Sequence, residues 1–398
     1  MPRHTLYVAI SAFDIGAIAT VVGALSCRLW IVPSAAIEHF HQRLWRLLGV
    51  GLFGLTVSSL ALLIGRTMEM SRQPLARVWH WLPLVVHETQ FGHVWLARPP
   101  VVLLMWAVWL VGRRPSHGGV AGVLMFLAVG IIAFTRSATG HPVDLGPWTF
   151  PEWVDWVHLM GGAIWAGSLL VMTFSVFPTL TDPDISVATR ATLVKNLSTV
   201  AATALAVILV TGLWSAYHYL NQWGSLWHST YGHTLLVKLF FVLGAIALGA
   251  LNRFVYVPRI RAAAHNNSSP LIPARSAQTD PLRLLTRSAA VETVVLLVVL
   301  VTAAALLHDM PPRDARANGI NSMARAHDRY PTSYPRLERA AVRPMANPSA
   351  IPTVRYGVLD FPGHTTYSTG PSKLSTDAIP LRRLPRRVLP ISPHRLEA

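Results

Sequence analysis

The sequence predicts an all-α polytopic membrane protein with about eight transmembrane helices and a disordered C-terminal tail. Hydrophobic residues make up 52% of the 398 positions and charged residues only 13%, whereas roughly 25% charged residues are usual in soluble domains. Several apolar stretches also reach the length of about 20 residues that a helix needs to cross a bilayer. Short polar or proline-containing turns separate these stretches, as in proteins that cross the membrane repeatedly.

Eight apolar stretches meet the length requirement for a span. They lie at residues 5–31, 43–65, 93–112, 118–135, 152–177, 196–219, 232–254 and 286–308. The first stretch is too long for a removable signal peptide and lacks a cleavage site of small residues, so we interpret it as a true span. Eight spans place both termini on the same side of the membrane. No convincing internal repeat is visible in the sequence.

The spans divide the chain into three regions. These are an N-terminal four-helix membrane region (residues 1–135), a second four-helix membrane region (residues 136–310) and a tail (residues 311–398). The tail is rich in Pro and Arg and lacks apolar periodicity, which predicts disorder. Because it contains 14 of the 34 Lys and Arg residues, the net charge of +16 does not indicate a nucleic-acid-binding domain. We expect the tail to contact anionic lipid or a protein partner.

The basic residues of the loops predict the orientation of the spans. The loops after the odd-numbered spans contain most of them, including Arg43, Arg46, Arg113, Arg114, Arg190, Lys195, Arg253, Arg259, Arg261, Arg275, Arg283 and Arg287. The loop after span two, with Arg66, Arg72 and Arg77, runs against this trend. We expect the arginine-rich loops to face the cytoplasm and both termini to lie in the periplasm.

Histidines gather on the side of the predicted bundle that contains the termini. Nine of the 17 histidines fall there, namely His80, His87, His93, His141, His158, His218, His228, His233 and His308. The same side contains the methionines Met68, Met70, Met160 and Met310. Imidazole and thioether are ligands that suit Cu(I), so copper is the metal that this composition favours. Packing of Met in apolar gaps and hydration of His at helix ends explain the same residues without a metal.

His158 differs from the other histidines because it lies about two turns inside a span. A histidine at that depth is costly unless it has a partner, and it is therefore a candidate for function. Cys27 is the only cysteine. An intrachain disulfide is thus impossible, and any metal site must use His, Met, carboxylate or backbone ligands.

Five segments, in order, resemble the copper resistance protein D family of bacterial inner-membrane proteins. They read SATGHPVD, DWVHLMGGAIWAGSLL, LVTGLWSAYHYL, YGHTLLVKLFFVLGAIALGALNRFVYVP and RSAAVETVVLLVVLVTAAALLHDMPP. The resemblance is clearest over residues 137–312. It is looser in the first four spans, where it rests on the Gly-Arg pair at residues 65–66 and on TQFGHVWLAR at residues 89–98. The tail is not covered.

The resemblance implies copper handling at the inner membrane. The family is described as moving copper from the periplasm to the cytoplasm alongside a periplasmic copper-binding protein of the copper resistance protein C type. The positions that match its motifs are His141, His158, Trp165, Tyr231, Lys238, Asn252, Arg253 and Glu292. No fused β-rich copper-binding domain is visible, so we expect a separate protein to deliver the metal.

These residues together predict a path for Cu(I) that begins at the outer face. The candidates for its capture are Met68, Met70, His141 and Met310. The candidates for a deeper site are His158 and His233. The glycines of span five, Gly161, Gly162 and Gly167, permit close approach of another helix that could share the ion, although close packing alone also explains them.

Charged residues inside the spans need partners. Asp155 is the expected counter-ion of Lys238, and the Lys238 charge could alternatively repel a cation and so gate its passage. Arg253 lies level with Glu292, and we expect these two to form a structural pair. Asp14 has no partner that the sequence identifies.

Two other functions use the same residues. In a b-type haem protein, His158 with His218 or His233 would bind iron axially. A membrane assembly factor would pass copper to another protein without transporting it. We do not expect an enzyme, because no nucleophile, base and orienting acid occur at usable spacing and no nucleotide-binding motif is visible.

Overall fold

A computed structural model describes residues 3–139, 149–180, 182, 184–220, 224–266 and 281–309. This part of the chain is helical and contains no strand, and eight of its helices are long and apolar enough to cross a membrane. The spans are Thr5–Ile31, Ser34–Ser71, Gln90–Gly112, Pro115–Ser137, Phe150–Thr179, Val187–His218, Thr230–Ile260 and Leu282–Leu306. The predicted fold class is confirmed. The predicted tail, residues 311–398, lies outside the described residues, and the predicted region boundaries stay predictions.

The second span is longer than its apolar stretch. It runs Ser34–Ser71, whereas hydropathy predicts residues 43–65. The sixth span, Val187–His218, likewise begins before its predicted start. The difference arises because backbone hydrogen bonds continue a helix through polar residues, whereas hydropathy registers only the apolar part.

The α-helices are numbered in chain order. They are α1 (Arg3–Ser26), α2 (Ile37–Ser71), α3 (Leu82–Glu88), α4 (Gln90–Trp95), α5 (Arg98–Gly112), α6 (Gly118–Ser137), α7 (Phe150–Val171), α8 (Val187–Leu220), α9 (Ser225–His228), α10 (Thr230–Leu251), α11 (Val257–Asn266) and α12 (Pro281–Leu306). We call the end of the bundle where α1 begins and α12 ends the terminal face, and the opposite end the distal face. Helices α1, α7 and α10 each continue into a π-helical turn toward the distal face.

Helices α1 and α7 cross at the centre of the bundle through two glycines. A Cβ atom added to Gly23 would overlap the backbone of Gly167, and one added to Gly167 would overlap the Ala19 carbonyl. The two backbones are therefore in direct contact, which only glycine permits at these positions. Around this crossing, α1 also packs against α2, and α7 packs against α8.

The two four-helix halves repeat the same arrangement of helices. Helix α5 packs against α6 as α10 packs against α12, and α6 contacts α7 as α12 contacts α1. Several helix pairings of the first half thus recur in the second, a common construction of membrane proteins, but α2 packs against α5 whereas α8 makes at most slight contact with α10. The sequence did not predict this repeat, because most of the equivalent positions carry different side chains.

One local motif preserves the repeat in both halves. The Thr89 side chain accepts a hydrogen bond from the Gly92 backbone N–H, as the Ser229 side chain does from Gly232. In each case the next residue is a histidine whose Nε2 donates to a carbonyl six residues earlier, at 2.8 Å in the first half and 2.9 Å in the second. The shared pattern is a hydroxyl residue, two further residues and a Gly-His pair at the start of the third helix of each half.

A buried ion pair holds the first half together. The Arg98 Nη1 atom lies 3.0 Å from Asp14 Oδ1, and both side chains are almost completely buried. Ser58 donates to the same carboxylate at 2.8 Å, and Arg98 Nε donates to Thr135 at 2.7 Å. The pair thereby connects α1, α2, α5 and α6 and gives Asp14 the partner that the sequence did not identify.

The glycine crossing predicts different effects for two substitutions on α7, one that destabilises the protein and one that leaves its stability unchanged. Gly167→Ala places a methyl group in the α1 backbone and should destabilise the protein by about 1–3 kcal/mol or more. Gly162→Ala is the matched control, since a Cβ there has no atom within 4 Å. We expect a lower melting temperature in detergent for Gly167→Ala alone. Equal melting of the two variants would contradict the crossing.

The buried ion pair predicts a large effect of removing one charge. Asp14→Asn leaves the Arg98 guanidinium buried without its counter-charge, which costs about 3–5 kcal/mol in comparable pairs. Glu69→Gln breaks the exposed Arg66–Glu69 pair and should change stability by no more than about 1 kcal/mol. Thermal unfolding of both variants in detergent measures the difference. A melting temperature of Asp14→Asn as high as that of Glu69→Gln would refute the structural role of the pair.

Candidate functional site

The start of α7 determines where His158 lies. Pro151 occupies the first turn, and the Glu152 carboxylate accepts the backbone N–H of Thr149 at 3.1 Å. Both features are typical of helix N-termini. His158 follows about 12 Å along the helix axis at 1.5 Å per residue, on the side of α7 that faces α8.

The contacts of His158 with α8 favour a proton on its Nδ1 atom. The Thr211 hydroxyl donates to the Val207 carbonyl at 2.6 Å. Its oxygen lies 2.9 Å from His158 Nδ1 and, with its proton already donated, acts as the acceptor there. The ring also makes a hydrogen bond with the Ile208 backbone, whose carbonyl can only accept. From these α8 contacts we assign the ring proton to Nδ1, an assignment that leaves the lone pair of Nε2 for a ligand. Metal-binding histidines are commonly fixed in this way by a partner on the other ring nitrogen.

Gly212 provides the space for the His158 ring. A Cβ atom at this position would lie 3.1 Å from His158 Cε1. A side chain larger than glycine would thus press against the imidazole. Thr211 and Gly212 together orient the ring from α8, and neither residue was singled out in the sequence analysis, where the segment LVTGLWSAYHYL served only as a family motif.

Lys238 acts on His158 and is itself influenced by Asp155. Lys238 of α10 interacts electrostatically with His158 and with Asp155, the counter-ion that the sequence predicted for it. The Asp155 carboxylate also accepts a hydrogen bond from Ser137 of α6 at 2.7 Å. His158, Thr211, Lys238 and Asp155 form the polar cluster, which lies in the half of the bundle nearer the terminal face.

The repeat shows what is distinctive about the polar cluster. His158 lies nine positions before the crossing glycine of α7, as Asp14 does before that of α1. Lys238 lies six positions after the glycine of its Gly-His pair, as Arg98 does. In the first half the equivalent residues neutralise one another as an ion pair. In the second half an imidazole replaces the carboxylate, so a coordinating nitrogen faces a cation.

The predicted copper ligands that the structure describes, other than His158 itself, are not gathered around His158. His233 is exposed and its Nε2 donates to the Trp227 carbonyl at 2.9 Å. Met68 and Met70 lie half-buried in the last turns of α2, in the first half. His141 and Met310 lie outside the described residues. Within the described residues no group of three His, Cys, Asp or Glu side chains is close enough to bind a metal ion. These ligand assignments stay predictions.

The glycines of span five do not form a common face for one neighbouring helix. Gly167 contacts α1, whereas a Cβ at Gly161 would lie 3.1 Å from Ile208 of α8. A Cβ at Gly162 would meet no atom within 4 Å. Gly167 therefore serves the crossing of the two halves, and Gly161 serves the packing of α7 against α8.

The expected pair of Glu292 and Arg253 is wrong. Glu292 accepts a hydrogen bond from Asn252 at 2.8 Å and another from the Trp165 side chain. Arg253 is exposed and donates instead to the carbonyl and hydroxyl of Ser198. Glu292 and Arg253 lie at a similar depth in the bundle. Consecutive residues of a helix point in different directions, however, and only the Asn252 side chain is directed toward Glu292 on α12. Tyr231, the remaining motif residue, is buried at the start of α10.

Apolar side chains cover the outer surface of the bundle. On α8 and α10 they include Leu209, Val210, Leu213, Phe240 and Leu243, all exposed. Soluble proteins rarely expose apolar patches of this extent, whereas a bilayer requires them. Together with the eight spans, this surface defines a multi-pass α-helical membrane protein with a polar cluster inside its second half.

Comparisons with known proteins identify the family. The model of the copper resistance protein D-like N-terminal domain matches residues 1–146, and the model of copper resistance protein D matches residues 191–306. The chain belongs to the copper resistance protein D family, as the sequence motifs indicated. The predicted membership of this family is thereby confirmed.

Two relatives have related descriptions. The copper transport protein CutJ of Bacillus subtilis (strain 168) is 28% identical over 170 residues, which cover 42% of this chain and 30% of that protein. Copper resistance protein D of Pseudomonas syringae pv. tomato is 27% identical over 220 residues, which cover 54% of this chain and 69% of that protein. The matched part is thus less than a third of the Bacillus protein. No solved structure is significantly similar to the chain.

Proposed function

We propose that this protein imports copper from the periplasm to the cytoplasm across the bacterial inner membrane, and that Cu(I) binds His158 on the way. The observation that carries the proposal is the contact of His158 Nδ1 with Thr211 at 2.9 Å, on which we assign the proton to Nδ1 and the Nε2 lone pair to a soft cation. Imidazole nitrogen is a suitable Cu(I) ligand. The name of the Bacillus relative, a copper transport protein, agrees with this role.

The terminal face is the side at which copper enters in this proposal. It corresponds to the face that the loop arginines predict to be periplasmic. Met68, Met70, His141 and Met310 are the residues proposed to receive Cu(I) there, and His233 is the second candidate, beside His158, for the deeper site. The donor is a periplasmic copper-binding protein of the copper resistance protein C type, and no step of the proposed role is catalytic.

The charges around His158 suit transient binding. Lys238 repels a cation at the imidazole, and Asp155 offsets part of that repulsion. A transport site must bind its ion strongly enough to admit it and weakly enough to release it. The opposed charges of Lys238 and Asp155 provide that balance, while in the first half the ion pair of Asp14 and Arg98 contains no coordinating nitrogen.

Copper accumulation by cells tests the proposal. Cells that express the wild-type protein at limiting external copper should contain more copper than cells with an empty vector, and His158→Ala should abolish the increase. His39→Ala, which changes an exposed histidine near the distal face, is the control at matched membrane levels. Equal copper in wild-type and His158→Ala cells would exclude import through His158. A haem absorption spectrum of the purified protein that His158→Ala abolishes would instead support the haem alternative.

The Thr211 hydrogen bond predicts a second, subtler variant. Thr211→Val keeps the shape of the side chain but removes the acceptor that fixes the ring of His158. Loss of such a partner typically lowers metal affinity by about 10–100-fold, so half-maximal uptake should require correspondingly more external copper. Thr203→Val is the matched control, because Thr203 donates to the carbonyl four residues earlier in the same helix and lies on its exposed side. Identical uptake curves for both variants would exclude the proposed role of Thr211.

A further inference from the structure

A cavity of about 230 Å³ lies in the second half of the bundle, between α7, α8, α10 and α12. It extends from Trp165 and Glu292 in the middle of the bundle to Phe177 and Val257 toward the distal face. Exposed Arg253 also lines it, so the cavity reaches the surface. Its volume is sufficient for several water molecules at about 30 Å³ each. It is separate from the polar cluster of His158.

Among the described residues, Glu292 is the only acidic one in the wall of this cavity. Its side chain is 4% exposed and accepts hydrogen bonds from Asn252 and Trp165, both of which are neutral. Within the described residues no Lys, Arg or His lies within salt-bridge distance of it. A carboxylate buried without a counter-charge is costly, so the group needs either a proton or a bound cation.

Asn252 adds a second unsatisfied group at the same place. Its Nδ2 donates to Glu292, whereas its Oδ1 is buried and has no hydrogen-bond partner among the described residues. Buried polar atoms without partners are rare and call for an explanation. The Asn252 Oδ1 atom would gain a hydrogen bond if the neighbouring Glu292 carboxyl, or a water molecule next to it, donated a proton to it.

The first half shows that the fold does not require this cavity. Trp109 lies seventeen positions after Gly92, as Gly249 lies after Gly232. The Trp109 indole N–H donates to the Trp45 carbonyl, and Trp45 donates to the Trp109 carbonyl, so that two indoles fill the space between α2 and α5. In the second half, Gly249 leaves this space open, and a Cβ there would lie 3.3 Å from Glu292 Oε1.

We propose that Glu292 and Asn252 form a proton-binding site that exchanges its proton with the distal face through this cavity. The inference deepens the proposed transport function, and it rests on that function only in assigning the proton a use as a coupling ion. A metal ion would need several oxygen ligands in addition to Glu292, whereas a proton needs only the carboxyl.

The charged surroundings of Glu292 are simple. The π-helical turn after α10 contributes the exposed Arg253 to the cavity wall, and the guanidinium of Arg253 donates hydrogen bonds to Ser198 of α8. From α7 the wall contains Trp165, and α1, which also packs on α12, contributes no residue to it. Protonation of Glu292 therefore depends on its own environment rather than on a coupled titrating partner.

Chemical labelling of the wild-type protein tests the proton site. Dicyclohexylcarbodiimide, an apolar reagent, modifies protonated carboxyl groups within membranes. In membrane vesicles without copper, mass spectrometry should find the label on Glu292 at pH 6 and a progressive loss of labelling toward pH 9. Glu152 is an internal control, because it is equally buried but its carboxylate accepts a backbone N–H at the start of α7. Glu152 should stay unlabelled.

Three results would overturn the proton site. They are the absence of label on Glu292 throughout this pH range, equal labelling of Glu292 and Glu152, and protection of Glu292 by sodium relative to choline, which would assign the site to a metal cation. Glu292→Gln should abolish the label, but the mapped wild-type protein alone suffices if that variant does not fold. The labelling experiment contains no copper, so a negative result would not contradict the copper proposal. Likewise, a negative result for copper uptake would not contradict the proton site.

Discussion

The direct backbone contact between Gly23 and Gly167 positions the other helices of the bundle. It joins α1 and α7, each of which packs against the second helix of its own half and the last helix of the other. Since both glycines lie at the same distance from Asp14 and His158 respectively, the crossing determines the depth of both polar residues. Any side chain at either glycine would separate the halves and displace the residues that depend on this spacing.

The two halves use the same helix arrangement for different purposes. In the first, Arg98 and Asp14 neutralise each other and two tryptophans fill the space between α2 and α5. In the second, an imidazole lies opposite Lys238, and a glycine leaves a cavity beside Glu292. A paired charge and a packed core contribute to stability, whereas an uncompensated polar group inside a membrane is costly and persists where it has a function. Both the proposed copper site and the proposed proton site therefore lie in the second half.

The polar cluster and the cavity lie on one face of α10. Lys238 and Asn252 are separated by about 21 Å along the helix at 1.5 Å per residue, and the buried apolar residues Val242 and Ala245 lie between them. This apolar layer separates the two polar regions.

The sequence by itself determined the membrane class, the number of spans and the family, because hydropathy and ordered motifs are local properties of the chain. It also singled out His158, Lys238, Asp155 and Glu292, since an ionisable residue within an apolar stretch is conspicuous. Tertiary structure alone decided which residues meet. Three contacts depend on helix rotation and crossing, which a linear pattern does not encode. They are the contact of Arg98 with Asp14, that of Thr211 with His158, and that of Asn252, in place of the predicted Arg253, with Glu292. The repeat was not visible in the sequence because the two halves share helix packing but differ in side chains.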